Sequence, residues 1–340
     1  KYGKKIVFPS SYKGNIENPS IENCTNNGTV RNLGVLDYTG GIAGSAEGEV
    51  YKDYYLYDHA IVFSNCSNTK PIIGNNYTGG IIGYGTYVNE MNLCSNTANI
   101  TGNNYVGGYA GYTSTRTLIQ FAENRNKITG NAYVGGIAGY TGALRNCANY
   151  GEICSNGVIV ENSINVAYVG GIAGFASSLE GCTNNSNITV QTGGRYVGGL
   201  VGYLVASGSS KLNNCINYGD IISNSSYVGG IVGYINANDA SSANWTLKVE
   251  NNENYGDVTT TENYAGGIVG AADGGTYKDY YTYNHTVSFS GNKNYGDITA
   301  NKYVGGILGR GTYVDKTEVI WETNINQSII TGETSGELYG

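Results

Sequence analysis

Apolar and polar residues along this chain form short runs that return at a nearly constant spacing. The runs are rich in β-branched and aromatic residues, and Gly, Asn and Asp separate them, as in YVGGLVGY from Tyr196 and CINYGDI from Cys215. The spacing of apolar residues that is typical of a helix is missing, and strong helix formers are scarce. The pattern therefore predicts many short strands joined by turns.

One octet recurs nine times, and it reads aromatic, any residue, Gly, Gly, apolar, apolar, Gly and usually a second aromatic residue. Successive octets begin 28–39 residues apart. A unit of this length fits one coil of a solenoid with three short strands, and the longer units would place their extra residues in loops. The octets begin at Tyr38, Tyr77, Tyr105, Tyr133, Tyr168, Tyr196, Tyr227, Tyr264 and Tyr303.

A second signature lies between the octets and reads Cys or Asn, any residue, Asn, three residues, then Ile or Val. Equivalent residues of stacked parallel strands lie about 4.8 Å apart, so we expect the shared Asn side chains to form a hydrogen-bonded ladder. Asn also tolerates the left-handed conformation that a coil corner requires. We interpret NRNKI, from Asn124, as a shortened copy. The ten ladder positions are Asn26, Asn68, Asn96, Asn126, Asn149, Asn184, Asn217, Asn254, Asn294 and Asn326.

These repeats predict an all-β fold, a parallel β-solenoid of about ten coils of 28–39 residues that forms one array over 1–340. By analogy with parallel crossovers, the coil is predicted to be right-handed. The stretch 38–93 recurs at 264–319 with a constant offset of 226 residues. Because the chain also starts and stops in mid-unit, we expect it to be a fragment of a longer protein.

Glycine and cysteine recur at fixed places in the unit. A Gly inside a strand costs roughly 0.5–1 kcal/mol relative to Ala, so the octet glycines must serve positive φ at a corner or close contact between coils. Six cysteines share one position and predict small, buried, apolar stacks, with disulfides between coils as the alternative. The two predicted stacks are Cys24/Cys66/Cys94 and Cys147/Cys182/Cys215.

Aromatic residues occupy two octet positions. The first is Tyr in all nine copies, and we expect this column to pack internally. The closing position is aromatic in six copies but Ser45, Ala271 or Arg310 elsewhere, and this tolerance predicts an exposed column that stacks on sugars or binds a partner. The candidate surface-binding residues are Tyr84, Tyr112, Tyr140, Tyr203 and Tyr234.

The octet YVGGIAGY, followed by a variable loop and an NC-x-N-Y-G-D/E-I segment, resembles the GLUG-motif repeat, and the resemblance covers nearly the whole chain. GLUG repeats occur in secreted and surface-anchored bacterial proteins, including IgA-cleaving metallopeptidases and adhesin-like proteins. The resemblance implies a structural repeat outside the cell. It does not imply peptidase activity, because the HExxH zinc signature is absent.

Charge and candidate chemistry narrow the function further. A net charge of −7 with 13% charged residues provides no basic surface for nucleic acid, and no apolar run approaches the roughly 18 residues that cross a bilayer. The only histidines, His59 and His285, each follow an Asp (Asp53 and Asp279) by six residues in equivalent Tyr-rich insertions. An acid–base pair or a metal site is one interpretation, but the duplication favours solvent-facing loop residues.

We therefore predict a non-catalytic, extracellular or cell-surface module, a stalk or adhesin that binds a host or cell-surface protein or glycan. No catalytic residue, metal site or cofactor is predicted, with calcium between scattered Asp side chains as the alternative. A second hypothesis is a fibre subunit that self-associates end to end through unpaired strand edges. A third is a polysaccharide-active β-helix enzyme.

Overall fold

The chain winds into a parallel β-solenoid, which confirms the predicted fold class. The computed structural model describes residues 19–32, 34, 37–47, 49–52, 56–238, 243–278, 282–312 and 324–332, and the backbone of 6–7; for 49–52 and 56–59 it also describes the backbone only. These residues contain no helix. Four of the five long sheets have ten strands and one has nine, so about ten coils are stacked.

Each coil crosses five parallel sheets, which we number I to V in the order that follows the start of an octet. The strands of sheet I are Thr39–Gly40, Thr78–Gly79, Asn104–Gly107, Ala132–Gly135, Val169–Gly170, Arg195–Gly198, Ser226–Gly229, Ala265–Gly266 and Val304–Gly305. Those of sheet II are Ile6–Val7, Ala43–Glu47, Ile82–Thr86, Ala110–Tyr112, Ala138–Tyr140, Ala173–Ala176, Val201–Val205, Val232–Asn236, Val269–Asp273 and Leu308–Thr312.

Sheets III to V complete the coil. The parallel strands of sheet III are Ser20–Glu22, Ile61–Ser64, Val88–Asn92, Leu118–Gln120, Ala143–Arg145, Ser178–Glu180, Leu212–Asn213, Trp245–Glu250 and Thr282–Ser290. Those of sheet IV are Thr25–Asn26, Ser67–Asn68, Ser95–Asn96, Glu123–Asn124, Ala148–Asn149, Thr183–Asn184, Ile216–Asn217, Glu253–Asn254, Lys293–Asn294 and Ile325–Asn326. Those of sheet V are Val30–Arg31, Ile72–Ile73, Ile100–Thr101, Ile128–Gly130, Ile153–Ser155, Ile188–Val190, Ile221–Ser223, Val258–Thr260, Ile298–Ala300 and Ile330–Gly332.

Each coil has five strands, whereas the unit length predicted three. The corners that separate them are made by non-glycine residues with positive φ, which carry no ordinary turn signal. Eight of the nine first octet tyrosines have φ of 51–72°, and the residue before the Cys position has φ of 51–65° whether it is Asn, Gly, Leu93 or Phe121. The ladder asparagines are not among the positive-φ residues, so the expectation that they form left-handed corners was wrong.

The Asn side chains form a continuous hydrogen-bonded ladder through sheet IV. Each Nδ2 donates to the Oδ1 of the next coil over 2.7–2.9 Å. In most coils Nδ2 also donates to the carbonyl two residues later, as Asn149 does to Gly151 over 2.8 Å. Both amide protons are then used in a site closed to solvent, where an unmade bond would be costly.

Nine of the ten predicted ladder positions belong to this ladder, and the prediction was wrong at Asn126. Asn124 takes that place: its Nδ2 donates to Asn149 over 2.7 Å, whereas the half-buried Asn126 donates to the carbonyl of Thr97. The unit is not shortened, because Ala122 occupies its Cys position. Ile128 follows Asn124 by four residues, the spacing that every other copy keeps.

Close contact between coils, not positive φ, explains the octet glycines. A Cβ on Gly171, the second glycine of its octet, would overlap both the carbonyl oxygen of Gly199 and the amide of Asn184. The equivalent glycines of seven other units meet the same two groups, and Gly306 of the last unit meets Asn326, so the two repeat signatures lie side by side. This layer separates two apolar clusters, one between sheets II, III and the Cys position and one between sheets I and V.

Six of the seven cysteines form the two predicted stacks, which lie in one column and are separated by Ala122. Ala122 lies between Cys94 and Cys147, and all seven cysteines are free thiols. After Cys215 the column continues as a second amide ladder, in which Asn252 donates to Asn292 over 3.0 Å. Burial raises the pKa of Cys147 and of Cys215, as expected for inert apolar packing. The disulfide alternative is not realised in this structure.

Candidate interaction surface

Most of the first octet tyrosines stack face to face at the corner that precedes sheet I. Ring centroids lie 4.3 Å apart from Tyr105 to Tyr133 and again from Tyr133 to Tyr168. A left-handed non-glycine residue costs roughly 1–2 kcal/mol, and an aromatic pair contributes roughly 0.5–1.5 kcal/mol beyond its burial. Stacking thus offsets much of the strain of a conformation that these side chains would otherwise avoid.

The closing residues form a second stack that packs edge-on against the first. Tyr84 meets Tyr77 at 5.4 Å and 84°, and Tyr203 meets Tyr196 at 4.9 Å and 80°. Both columns are largely half-buried, so the prediction of an internal first column and an exposed closing column was wrong. We call the two columns together the tyrosine face. Its closing column is Tyr84, Tyr112, Tyr140, Phe175, Tyr203 and Tyr234.

The faces of these rings are occupied by neighbouring rings. Tyr140, for example, lies between Tyr112 at 4.7 Å and Phe175 at 4.2 Å, with interplanar angles of 18° and 7°. A sugar that stacks on an aromatic residue needs a free ring face, and the interior of the column offers edges and hydroxyls. This geometry disfavours the predicted sugar stacking along the column.

Several hydroxyls of the tyrosine face are held by side chains. Glu161, from the hairpin formed by Ile159–Glu161 and Ile164–Val166, accepts hydrogen bonds of 2.7 Å from Tyr133 and Tyr168. Asp273 accepts one of 2.6 Å from Tyr234. Burial, followed by these carboxylates, raises the pKa of all three phenols. These three phenols therefore stay protonated at physiological pH.

A third aromatic column directly follows the strands of sheet IV and was missed from the sequence. It consists of Tyr218, Tyr255 and Tyr295, with centroids 5.1 and 4.7 Å apart, and Tyr218 is 50% exposed. The signal was present in the Tyr of the NYGD segments, directly after each ladder Asn. Because the ladder Asn points inward, the next residue in the strand direction points outward.

Most of the length variation between units lies at the junction of sheets II and III, which we call the variable edge; the one large insertion elsewhere is the Glu161 hairpin, between sheets V and I. The interval from the first octet Tyr to the ladder Asn ranges from 16 residues (Tyr133 to Asn149) to 30 (Tyr38 to Asn68). The longest units carry antiparallel hairpins there, Glu49–Lys52 with Leu56–His59 and Gly275–Lys278 with Thr282–Ser290. In repeat proteins, a face that collects such insertions is often the binding face.

The prediction that the two histidines are solvent-facing loop residues was wrong for His285. His285 is fully buried and not solvent-facing, because its long strand extends sheet III and pairs with Trp245. The His285 ring stacks on Trp245 at 4.8 Å, and its Nε2 lies 3.2 Å from the carbonyl of Ala243. Asp53, Asp279 and the side chain of His59 lie outside the described residues.

Among the described residues, no group of three or more His, Cys, Asp or Glu side chains is arranged to hold a metal ion. Nor does this part of the chain contain a helix with the length and apolar character that crossing a bilayer requires. No family model, curated protein or solved structure matches the chain.

Proposed function

We propose that this chain is a non-catalytic extracellular module, a stiff rod that holds its variable edge and tyrosine face toward a host or cell-surface protein or glycan. The observation that carries the proposal is the contrast between a coil whose stacking contacts repeat and an edge that collects most of the insertions. Amide ladders and aromatic stacks link successive coils in a constant register, and nine steps of about 4.8 Å give a rod of about 43 Å. The GLUG resemblance supports the extracellular setting.

Binding on arrays tests the proposal. The chain is applied to glycan arrays and to a panel of purified host-surface proteins, beside a variant in which Val205–Ser210 is replaced by the single Ser that unit 168–195 has at this place. Far-UV circular dichroism checks that the coil of the variant is intact. A ligand whose binding weakens when the edge is trimmed supports the adhesive function. Blank arrays, or binding that trimming leaves unchanged, would overturn it.

A further inference from the structure

One groove interrupts the variable edge. It has a volume of about 580 Å³ and lies over the units that begin at Tyr133 and Tyr168. Both have the shortest octet-to-ladder interval in the chain, 16 residues, whereas the flanking units at Tyr105 and Tyr196 have 19 and 21 to Asn124 and Asn217. These two units therefore form the floor of the groove, and the longer loops of the flanking units form its two ends.

The loops close the groove at both ends along the coil axis. Thr115, in the unit that begins at Tyr105, lines one end, and three serines of the unit that begins at Tyr196 line the other. Three coil steps of about 4.8 Å separate these units, so the groove is about 14 Å long. That length suits a short oligosaccharide. The groove serines are Ser177, Ser178, Ser207, Ser209 and Ser210.

The charged lining of the groove is cationic on a chain of net charge −7. It consists of Arg145, Glu180 and Lys211. Arg145 donates Nε to Glu180 over 3.1 Å, and Lys211 Nζ donates to both Glu180 oxygens over 3.2 and 3.3 Å. One carboxylate thus faces two cations. Among the described residues, the terminal nitrogens of Arg145 have no protein partner, which leaves a planar donor pair that matches a carboxylate.

Apolar groups complete the lining. The edges of Tyr140 and Phe175 form part of the wall, and Ala143 and Leu144 form part of the floor. Sugar rings present both hydroxyls and C–H surfaces, so a groove that combines serine hydroxyls with aromatic edges fits them. A neutral sugar would leave the net positive charge of the lining without a counter-charge.

We propose that this groove binds a carboxylated saccharide, with the carboxylate on Arg145 and Lys211 and the ring hydroxyls on the groove serines. The inference rests on the proposed adhesive function and names its ligand class. Glu180 holds the two cations in place and competes with the incoming carboxylate. Its charge sets how tightly an acidic ligand binds.

Titration calorimetry with trigalacturonate tests the site. The comparison ligands are the corresponding neutral galactose trimer, which lacks the carboxylates, and a sulfated disaccharide. We expect trigalacturonate to bind at least tenfold more tightly than the neutral trimer and the sulfated disaccharide. Arg145→Gln should weaken trigalacturonate binding at least tenfold, whereas Glu180→Gln should strengthen it several-fold. A merely structural role of Glu180 would not produce tighter binding. The matched control is Arg125→Gln, an exposed, ion-paired arginine outside the groove, which should leave the affinity unchanged.

Three outcomes would overturn the site: no binding of trigalacturonate, equal binding of the neutral trimer, or equal losses in the Arg145 and Arg125 variants. Preference for the sulfated disaccharide would overturn the carboxylate assignment. If the arrays show an edge-dependent ligand while trigalacturonate fails, the adhesive function stands and this inference falls. Blank arrays together with specific trigalacturonate binding would support the groove as a saccharide site and overturn the adhesive function.

Discussion

Removing one rung of the amide ladder should cost more than an ordinary buried polar substitution. Asn184 donates to Asn217 over 2.9 Å and to the carbonyl of Ser186 over 2.7 Å, and it accepts from Asn149 over 2.8 Å. Asn184→Ala leaves a donor of Asn149 and an acceptor site of Asn217 without a partner in a fully buried layer. At about 1–3 kcal/mol for each unsatisfied group, the free energy of unfolding should fall by about 2–6 kcal/mol.

Asn184→Asp adds a pH dependence with a definite sign. An ionised Asp can only accept, so it would face the oxygens of Asn217 and Ser186 without a proton, and burial would raise its folded pKa above the unfolded value. A group with a raised folded pKa stabilises the fold most below the unfolded pKa, near 4. That contribution is lost as the pH rises through the folded pKa. The variant should therefore be closer to the parent at pH 4 than at pH 7.

Urea unfolding followed by far-UV circular dichroism at both pH values measures these losses. Asn126→Ala is the matched control, since Asn126 lies two residues from the ladder, is half-buried and donates one side-chain bond, to Thr97. It should cost about 1 kcal/mol or less. Equal losses in the Asn126 and Asn184 variants would refute the ladder assignment. So would an Asp variant whose deficit does not shrink on acidification.

Three further predictions rest on the same kinds of contact. Gly171→Ala should prevent stable folding, because its Cβ would overlap backbone atoms of the next coil, whereas Gly28→Ala, with its nearest neighbour at 3.9 Å, should leave the thermal midpoint nearly unchanged. Phe121→Asn should raise the midpoint, since an exposed Phe with φ of 51° gives way to a residue that accepts this conformation at roughly 1 kcal/mol less cost. The hydrogen bond to Glu253 raises the pKa of Tyr255 to about 12, so Glu253→Gln should lower that pKa. A titration of tyrosine absorbance at 295 nm measures it, and the component that disappears in Tyr255→Phe is the one that belongs to Tyr255. The Tyr255–Glu253 hydrogen bond should stabilise the chain below about pH 10 and cease to do so as the pH rises through about 12.

The repeat signatures predicted the coil because the coil imposes the same contact at each turn. An Asn that recurs at the same position in every unit pointed to an amide ladder, and three glycines per octet pointed to close packing. The error at Asn126 was avoidable: ENRN offers two asparagines, and only Asn124 keeps the four-residue spacing to Ile128. An apolar anchor defines register better than a polar residue that also occurs in neighbouring turns.

The corners and the aromatic columns could not be predicted in the same way. Nothing local in YVGG marks Tyr133 or Tyr168 for positive φ, because the conformation is held by rings of the coils above and below. Strain of this kind persists only where the surrounding structure determines it. His285 shows the same limit, since its burial depends on a strand that pairs with the distant Trp245 of the preceding coil.

The energetics of the coil explain why interaction features would collect on one edge. Adding a Cβ to an octet glycine disturbs backbone contacts in two coils, whereas doubling the length of a loop costs only about 0.6 kcal/mol in closure entropy. Between the strands of sheets II and III, the connecting segment grows from two residues (141–142) to thirteen (48–60), which is fewer than three doublings and costs under about 2 kcal/mol. The variable edge can therefore gain hairpins, lose loops and open a groove while the ladder beneath it stays intact. A rod built this way separates the residues that stabilise the coil from those that contact a partner, and the groove lies where the interval from octet to ladder is shortest.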